Sequence, residues 1–139
     1  MSGRKFVIEK DFVHRKLRCI VVFNDRCIRC GYVAVTDNPK IFEKIIEKEE
    51  YFDVHWGVTY AKGGKGSTHP VESDMFWLGF DCGHYGDERD IDLGLKYGLI
   101  TPQDTWWMWS YGGNVKSEEY VSNECKKLAD QVADLLEVL

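Results

Sequence analysis

Residues 17–36 read LRCIVVFNDRCIRCGYVAVT. Leu17–Phe23 is a continuous apolar run rich in β-branched residues, which suits a strand covered on both faces. Asn24-Asp25 supplies turn chemistry. Arg26–Thr36 then alternates loosely and reads as the partner arm of a hairpin, with Gly31 either a bulge or a point of close approach. A hairpin of this kind predicts a mostly antiparallel sheet.

Working outward, Lys5–Glu9 is a short apolar-rich strand on the N-terminal side. On the other side Asp37-Asn38-Pro39 is a turn and a helix start, with Pro39 at the first helical position. Ile41, Phe42, Ile45 and Ile46 then form an apolar stripe, and Glu43, Lys44, Glu47, Lys48 and Glu49 a wet face. Asp53–Tyr60 (DVHWGVTY) alternates as a strand, with Val54, Trp56, Val58 and Tyr60 opposite His55, Gly57 and Thr59. The loop AKGGKGSTHPVESD follows. In the strand Met75–Phe80, Phe76, Leu78 and Phe80 oppose Met75, Trp77 and Gly79, with Asp81 continuing the second set. Glu88–Gly98 reads either as a loose helix or as a loop, because Gly94 and Gly98 weaken the helical pattern. Ser117 is the N-cap of a final helix of about 22 residues whose seam is Val121, Cys125, Leu128, Val132, Leu135 and Leu139. Strands followed by a packing helix, with one short helix inserted, define an α+β class, and residues 1–139 fit a single domain.

The formal net charge of −5 and the lack of any long basic run argue against duplex nucleic acid as a partner. No stretch approaches the roughly 18 apolar residues of a membrane span. The start, MSGRKFVIEK, lacks the apolar core of an export signal, so the five cysteines are expected reduced, in a cytoplasm. Cys27-x-x-Cys30 lies on a strand without the following helix of a redox dithiol or the second pair of a zinc ribbon; buried small hydrophobes is the bland reading. Lys62–Thr68 (KGGKGST) misses the phosphate-loop spacing, which leaves a flap or a plain hairpin loop.

Residues 78–88, LGFDCGHYGDE, concentrate the chemistry. If the strands at 53–60 and 75–81 pair, His55, Thr59, Asp81 and His84 converge on a glycine-lined cavity able to hold a small polar ligand. His55, Asp81, His84 and Asp87 are also permissible ligands for a divalent metal such as Zn²⁺, Mn²⁺ or Fe²⁺, with a bound water as hydrolytic nucleophile. The plain alternative makes His84 a turn residue and Asp87 the N-cap of the next helix. Cys82 as a nucleophile with His84 or His55 as base is a further reading. Trp106-Trp107-x-Trp109-x-Tyr111 offers a stacking platform, and Trp107 and Trp109 are the candidate ligand-facing members; three tryptophans so close cannot all point inward.

RCGYVAV (29–35), VHWGVTY (54–60), FWLGFDCGHYGD (76–87) and YVSNECKKLADQV (120–132) together resemble a family of small uncharacterised bacteriophage and prophage proteins. Its marks are a C-G-Y-V strand, an H-G-G-L-T strand, a G-F-D-C-x-H-x-G-D motif and a C-terminal N-E-C helix. Trp56 stands where the family pattern has the first glycine of H-G-G. TDNPKIFEKIIEKEEYF replaces a V-P-x-x-H-P-x-Y-G loop and its histidine. The resemblance implies a phage or prophage accessory setting inside a host cell, where small accessory proteins as a class often counter host defence and several bind or destroy nucleotide signals. Three readings follow: a binder of a small polar ligand such as a nucleotide; a metal-dependent hydrolase of a small phosphorylated substrate; and an inhibitor that blocks a host protein through an aromatic surface. Each is compatible with a homo-oligomer.

Overall fold

The computed structural model describes residues 5–110 and 112–139; Tyr111, grouped above with the tryptophans, and residues 1–4 lie outside the described residues. The chain forms one five-stranded antiparallel sheet, β1 (Phe6–His14), β2 (Leu17–Asn24), β3 (Arg29–Thr36), β4 (Tyr60–Gly63) and β5 (Phe76–Asp81), in the order β1-β2-β3-β5-β4. Helices α1 (Pro39–Ile46), α2 (Ile91–Lys96) and α3 (Glu118–Leu136) complete the α+β architecture. The first strand runs longer than its apolar start suggested, and a second short helix, α2, joins the one expected.

The central hairpin is buried on both sides, as its unbroken apolar run requires. One face carries Cys19, Val21, Val33, Val35, Leu78 and Phe80, and α3 packs onto it with Val121, Cys125, Leu128, Ala129 and Val132. Fully covering a valine or leucine contributes about 1.5–3 kcal/mol, so this seam dominates the stability of the helix. Gly31 is the point of closest approach: a Cβ there would lie 2.5 Å from the Phe80 ring and 2.7 Å from Cys125 Sγ. The Ser117 side chain caps α3 by accepting the Tyr120 N–H at 3.0 Å. The helix has 19 residues and ends before Leu139, which is exposed.

Ile20, Val22, Cys30, Tyr32, Ala34 and Trp77 line the other face, under Phe6, Tyr60, Val71 and Met75. The glycine-rich stretch therefore leads from β4 into a hairpin loop whose second half covers the sheet. His69 Nε2 meets the Tyr32 hydroxyl at 3.0 Å, and Trp77 Nε1 donates to Ser73 Oγ at 3.0 Å. A third apolar group, Phe23, Cys27 and Ile100, is closed by Ile91, Leu93, Leu99 and Met108 from α2 and the segment after it. All five cysteines are buried, and none forms a disulfide. Among the described residues no helix is long and apolar enough to cross a membrane.

Asp53–Tyr60 is not a strand. The chain makes a 3-10 turn at Glu49–Tyr51 and then a turn at 54–57, with Trp56 at φ +56° and Gly57 at φ +82°. Two N–H groups that a strand would give to a neighbour go to α3 instead: Asp53 N donates to Gln131 Oε1 at 2.7 Å and His55 N to Glu124 Oε1 at 2.9 Å. The strand in this region is β4, which begins at Tyr60, where the alternation was expected to stop.

Candidate functional site

Strand alternation in β5 divides the candidate residues. Leu78, Phe80 and Cys82 point toward α3, whereas Trp77, Gly79 and Asp81 point to the other side. His55 lies on the α3 side, so the four residues expected to border one cavity form two separate groups.

The first group is a buried polar cluster centred on Asp87, whose side chain is 1% exposed. His55 Nε2 lies 2.9 Å from Asp87 Oδ2 and 3.0 Å from Oδ1. A carboxylate only accepts, so Nε2 carries a proton toward Asp87, and Nδ1 lies 2.8 Å from the Tyr120 hydroxyl. The His84 N–H donates to Asp87 Oδ2 at 3.1 Å. Lys116 Nζ sits 3.1 Å from Asp87 Oδ1 and also donates to the carbonyls of Gly86 (2.9 Å) and Asn114 (3.1 Å). Burial pushes the Asp87 carboxyl up, but the bonds from His55, the His84 amide and Lys116 outweigh it and hold the group below the ordinary carboxylate value. Asp87 therefore closes the turn at 84–87; the N-cap of α2 is Asp90, which accepts the Leu93 N–H at 3.1 Å.

A His55 ring nitrogen, Cys82 Sγ and an Asp87 oxygen lie within 4.8 Å of one another, a grouping that metals use. The expected set of His55, Asp81, His84 and Asp87 is not assembled; Cys82 takes the place of Asp81 and His84. Lys116 already brings a positive charge to the Asp87 carboxylate, so an ion there would have to displace it. The Cys82 thiol is pushed far above its ordinary value by burial and then by Asp87, Cys30 and Asp81, which removes the thiolate that nucleophilic catalysis needs.

The second group is Asp81, Thr59, His84 and Trp56. Asp81 Oδ1 accepts the Gly83 N–H at 3.0 Å, and Oδ2 accepts the Thr59 hydroxyl at 3.4 Å. His84 Nε2 is 3.1 Å from Asp81 Oδ1, shielded from solvent but without the alignment of a hydrogen bond. The Trp56 indole stacks on the His84 ring with centroids 5.1 Å apart and planes 20° apart. Hollows of about 520, 400, 380 and 330 Å³ open on the surface, and none of His55, Thr59, Asp81, His84 or Asp87 lines them.

The aromatic segment is the most unusual surface feature. Trp106, Trp107 and Trp109 are 84%, 80% and 79% exposed, and Tyr85 is 87% exposed. All three tryptophans, not one, face solvent. Trp109 and Asn114 lie beside 86–89: Arg89 Nε donates to the Trp109 carbonyl at 2.8 Å, Glu88 N to the Asn114 carbonyl at 2.9 Å, and Asn114 N to the Gly86 carbonyl at 3.1 Å. Ser110 Oγ bonds Glu88 Oε2. Trp107 borders the 330 Å³ hollow with Asp25, Arg89, Asp104 and Met108, apart from both polar groups.

Lys116, Tyr120 and Glu124 were not read from the sequence. Tyr120, Glu124 and Gln131 sit four and seven residues apart on one flank of the α3 seam, a polar stripe at helical spacing that gave the available signal. Comparison with family models, with curated proteins and with solved structures finds no match to this chain.

Proposed function

We infer that this chain is a protein-docking module that engages its partner through the exposed aromatic surface formed by Trp106, Trp107 and Trp109. The observation that carries the reading is the exposure of three tryptophans at 79–84% within four residues. Large exposed aromatic patches are rare on isolated chains, and tryptophan and tyrosine supply most interface hot spots. Of the polar residues first expected to hold a ligand, His55 is bonded to Asp87 and Thr59 to Asp81. The resemblance to phage and prophage proteins makes the partner a host protein and the role anti-defence by occlusion.

The test is photo-crosslinking in host cells from a crosslinker at position 107 or 109, with exposed Glu43 on α1 as control. A discrete adduct from 107 and 109 and none from 43 is expected. Equal or absent adducts at the three positions contradict the reading.

A second reading keeps a small polar ligand, such as a nucleotide, at Trp56, Thr59, Asp81 and His84. It is favoured by the His84 Nε2 contact that lacks an aligned bond. A nucleotide at 100 times its dissociation constant stabilises its receptor by about 2.7 kcal/mol, so a thermal-shift panel without any response removes this reading.

A further inference from the structure

Resting on the docking reading, we propose that the aromatic surface recognises a cationic protein segment, with an arginine side chain entering the hollow beside Trp107 and pairing with Asp104. Residues 88–110 contain four carboxylates (Glu88, Asp90, Asp92, Asp104) and two cations (Arg89, Lys96), a balance of −2, with the enclosed Asp87 matched by Lys116. Pairing within the segment cannot remove that excess. Arg89 and Lys116 also have inward duties. Arg89 Nε and Nη1 donate to the carbonyls of Trp109 (2.8 Å) and Arg26 (3.0 Å), and Lys116 is held by Asp87, Gly86 and Asn114.

Asp104 is placed to receive a guest cation. Its Oδ2 alone accepts both the Thr101 N–H at 2.7 Å and the Thr101 hydroxyl at 3.2 Å, and Oδ1 accepts no bond among the described residues. It lines the 330 Å³ hollow with Trp107 and Asp25, and with Arg89, whose Nε and Nη1 are turned to backbone carbonyls. A guanidinium there meets an indole face and a carboxylate together, the combination for which arginine is better suited than lysine. The same excess of negative charge speeds the approach of a basic partner and weakens with salt.

The experiment measures binding of fluorescein-labelled peptides of alternating Arg-Gly, Lys-Gly and Glu-Gly to the full chain, at low and high salt. The Arg-Gly peptide is expected to bind more tightly than Lys-Gly, Glu-Gly not at all, and affinity to fall with salt. Trp107→Ser and Asp104→Asn should each weaken the Arg-Gly complex roughly tenfold or more, a change of about 1.4 kcal/mol per decade. Asparagine retains the turn-capping role at 104, and an unchanged urea midpoint checks the fold. No peptide binding, or binding indifferent to both variants, overturns the proposal. So does a light-scattering mass that doubles and reverts in Trp107→Ser, since the occupant is then a second copy. Crosslinking from 107 to an acidic or apolar partner surface overturns the cation and leaves the docking reading; loss of all crosslinking removes both.

Discussion

The loop after β5 presents two regions built from neighbouring residues. Turned inward, Asp87 is almost wholly enclosed and holds three partners: an imidazole, an amide and an ammonium. Turned outward, Tyr85, Trp106, Trp107 and Trp109 are four-fifths exposed. The inner region has the residue types of an active site yet uses them to tie the turn at 54–57, the loop at 82–88 and the start of α3 together. The outer region has ordinary core residues placed where no core exists. Residue type alone does not separate the two regions; what differs is that the inner side chains are bonded to one another and the outer ones face solvent.

Mutations can break this contrast, and the largest effect is expected inside. Lys116→Met leaves the Asp87 carboxylate buried with one cationic partner fewer and should cost about 3–5 kcal/mol in urea unfolding. A loss below about 1 kcal/mol would mean that the cluster is wet or loosely joined. Gly31→Ala forces a methyl against Phe80 and Cys125 and should cost about 1–3 kcal/mol by overpacking.

Acid acts on the same node. The folded-state value of Asp87 is depressed, so its contribution is complete above the ordinary value of 3.8 and is lost as pH falls from there through the folded value. A plot of stability against pH below 3.8 should be flatter for Asp87→Asn than for the parent chain. Parallel curves would show that the carboxylate gains nothing from its partners.

Outside, effects on stability shrink. Trp56→Gly removes an indole–imidazole stack of about 0.5–1.5 kcal/mol but relieves a left-handed backbone that costs about 1–2 kcal/mol, leaving a net change within about 1 kcal/mol. Trp107→Ser and Trp109→Ser should each shift the urea midpoint by less than about 0.5 kcal/mol equivalent, as surface positions do.

The sheet was legible because its signals are local and strong: the two-sided apolar run at 17–23, the turn at 24–25, and the four-three seam of Val121, Cys125, Leu128 and Val132. The alternation of Val54, Trp56, Val58 and Tyr60 copied a strand but was overridden. Trp56 and Gly57 take left-handed backbone, and Gln131 and Glu124 satisfy the amides that a ladder would have used. That error propagated to the site, because placing His55 opposite Asp81 depended on a strand register that does not exist. The pairing of His55 with Asp87 was beyond sequence reasoning for a further reason. It is completed by Lys116 and Tyr120, about 30 positions downstream, and no local periodicity encodes such a distance.

The measurement that reaches the central contrast most directly is the yield of protein adducts from a photo-crosslinker at position 109 compared with one at position 43 in the same folded chain. Position 109 should give one dominant adduct that Trp107→Ser suppresses while leaving the urea midpoint in place. An adduct that persists in that variant, or one formed equally well from position 43, would contradict the assignment of recognition to the outward aromatic surface.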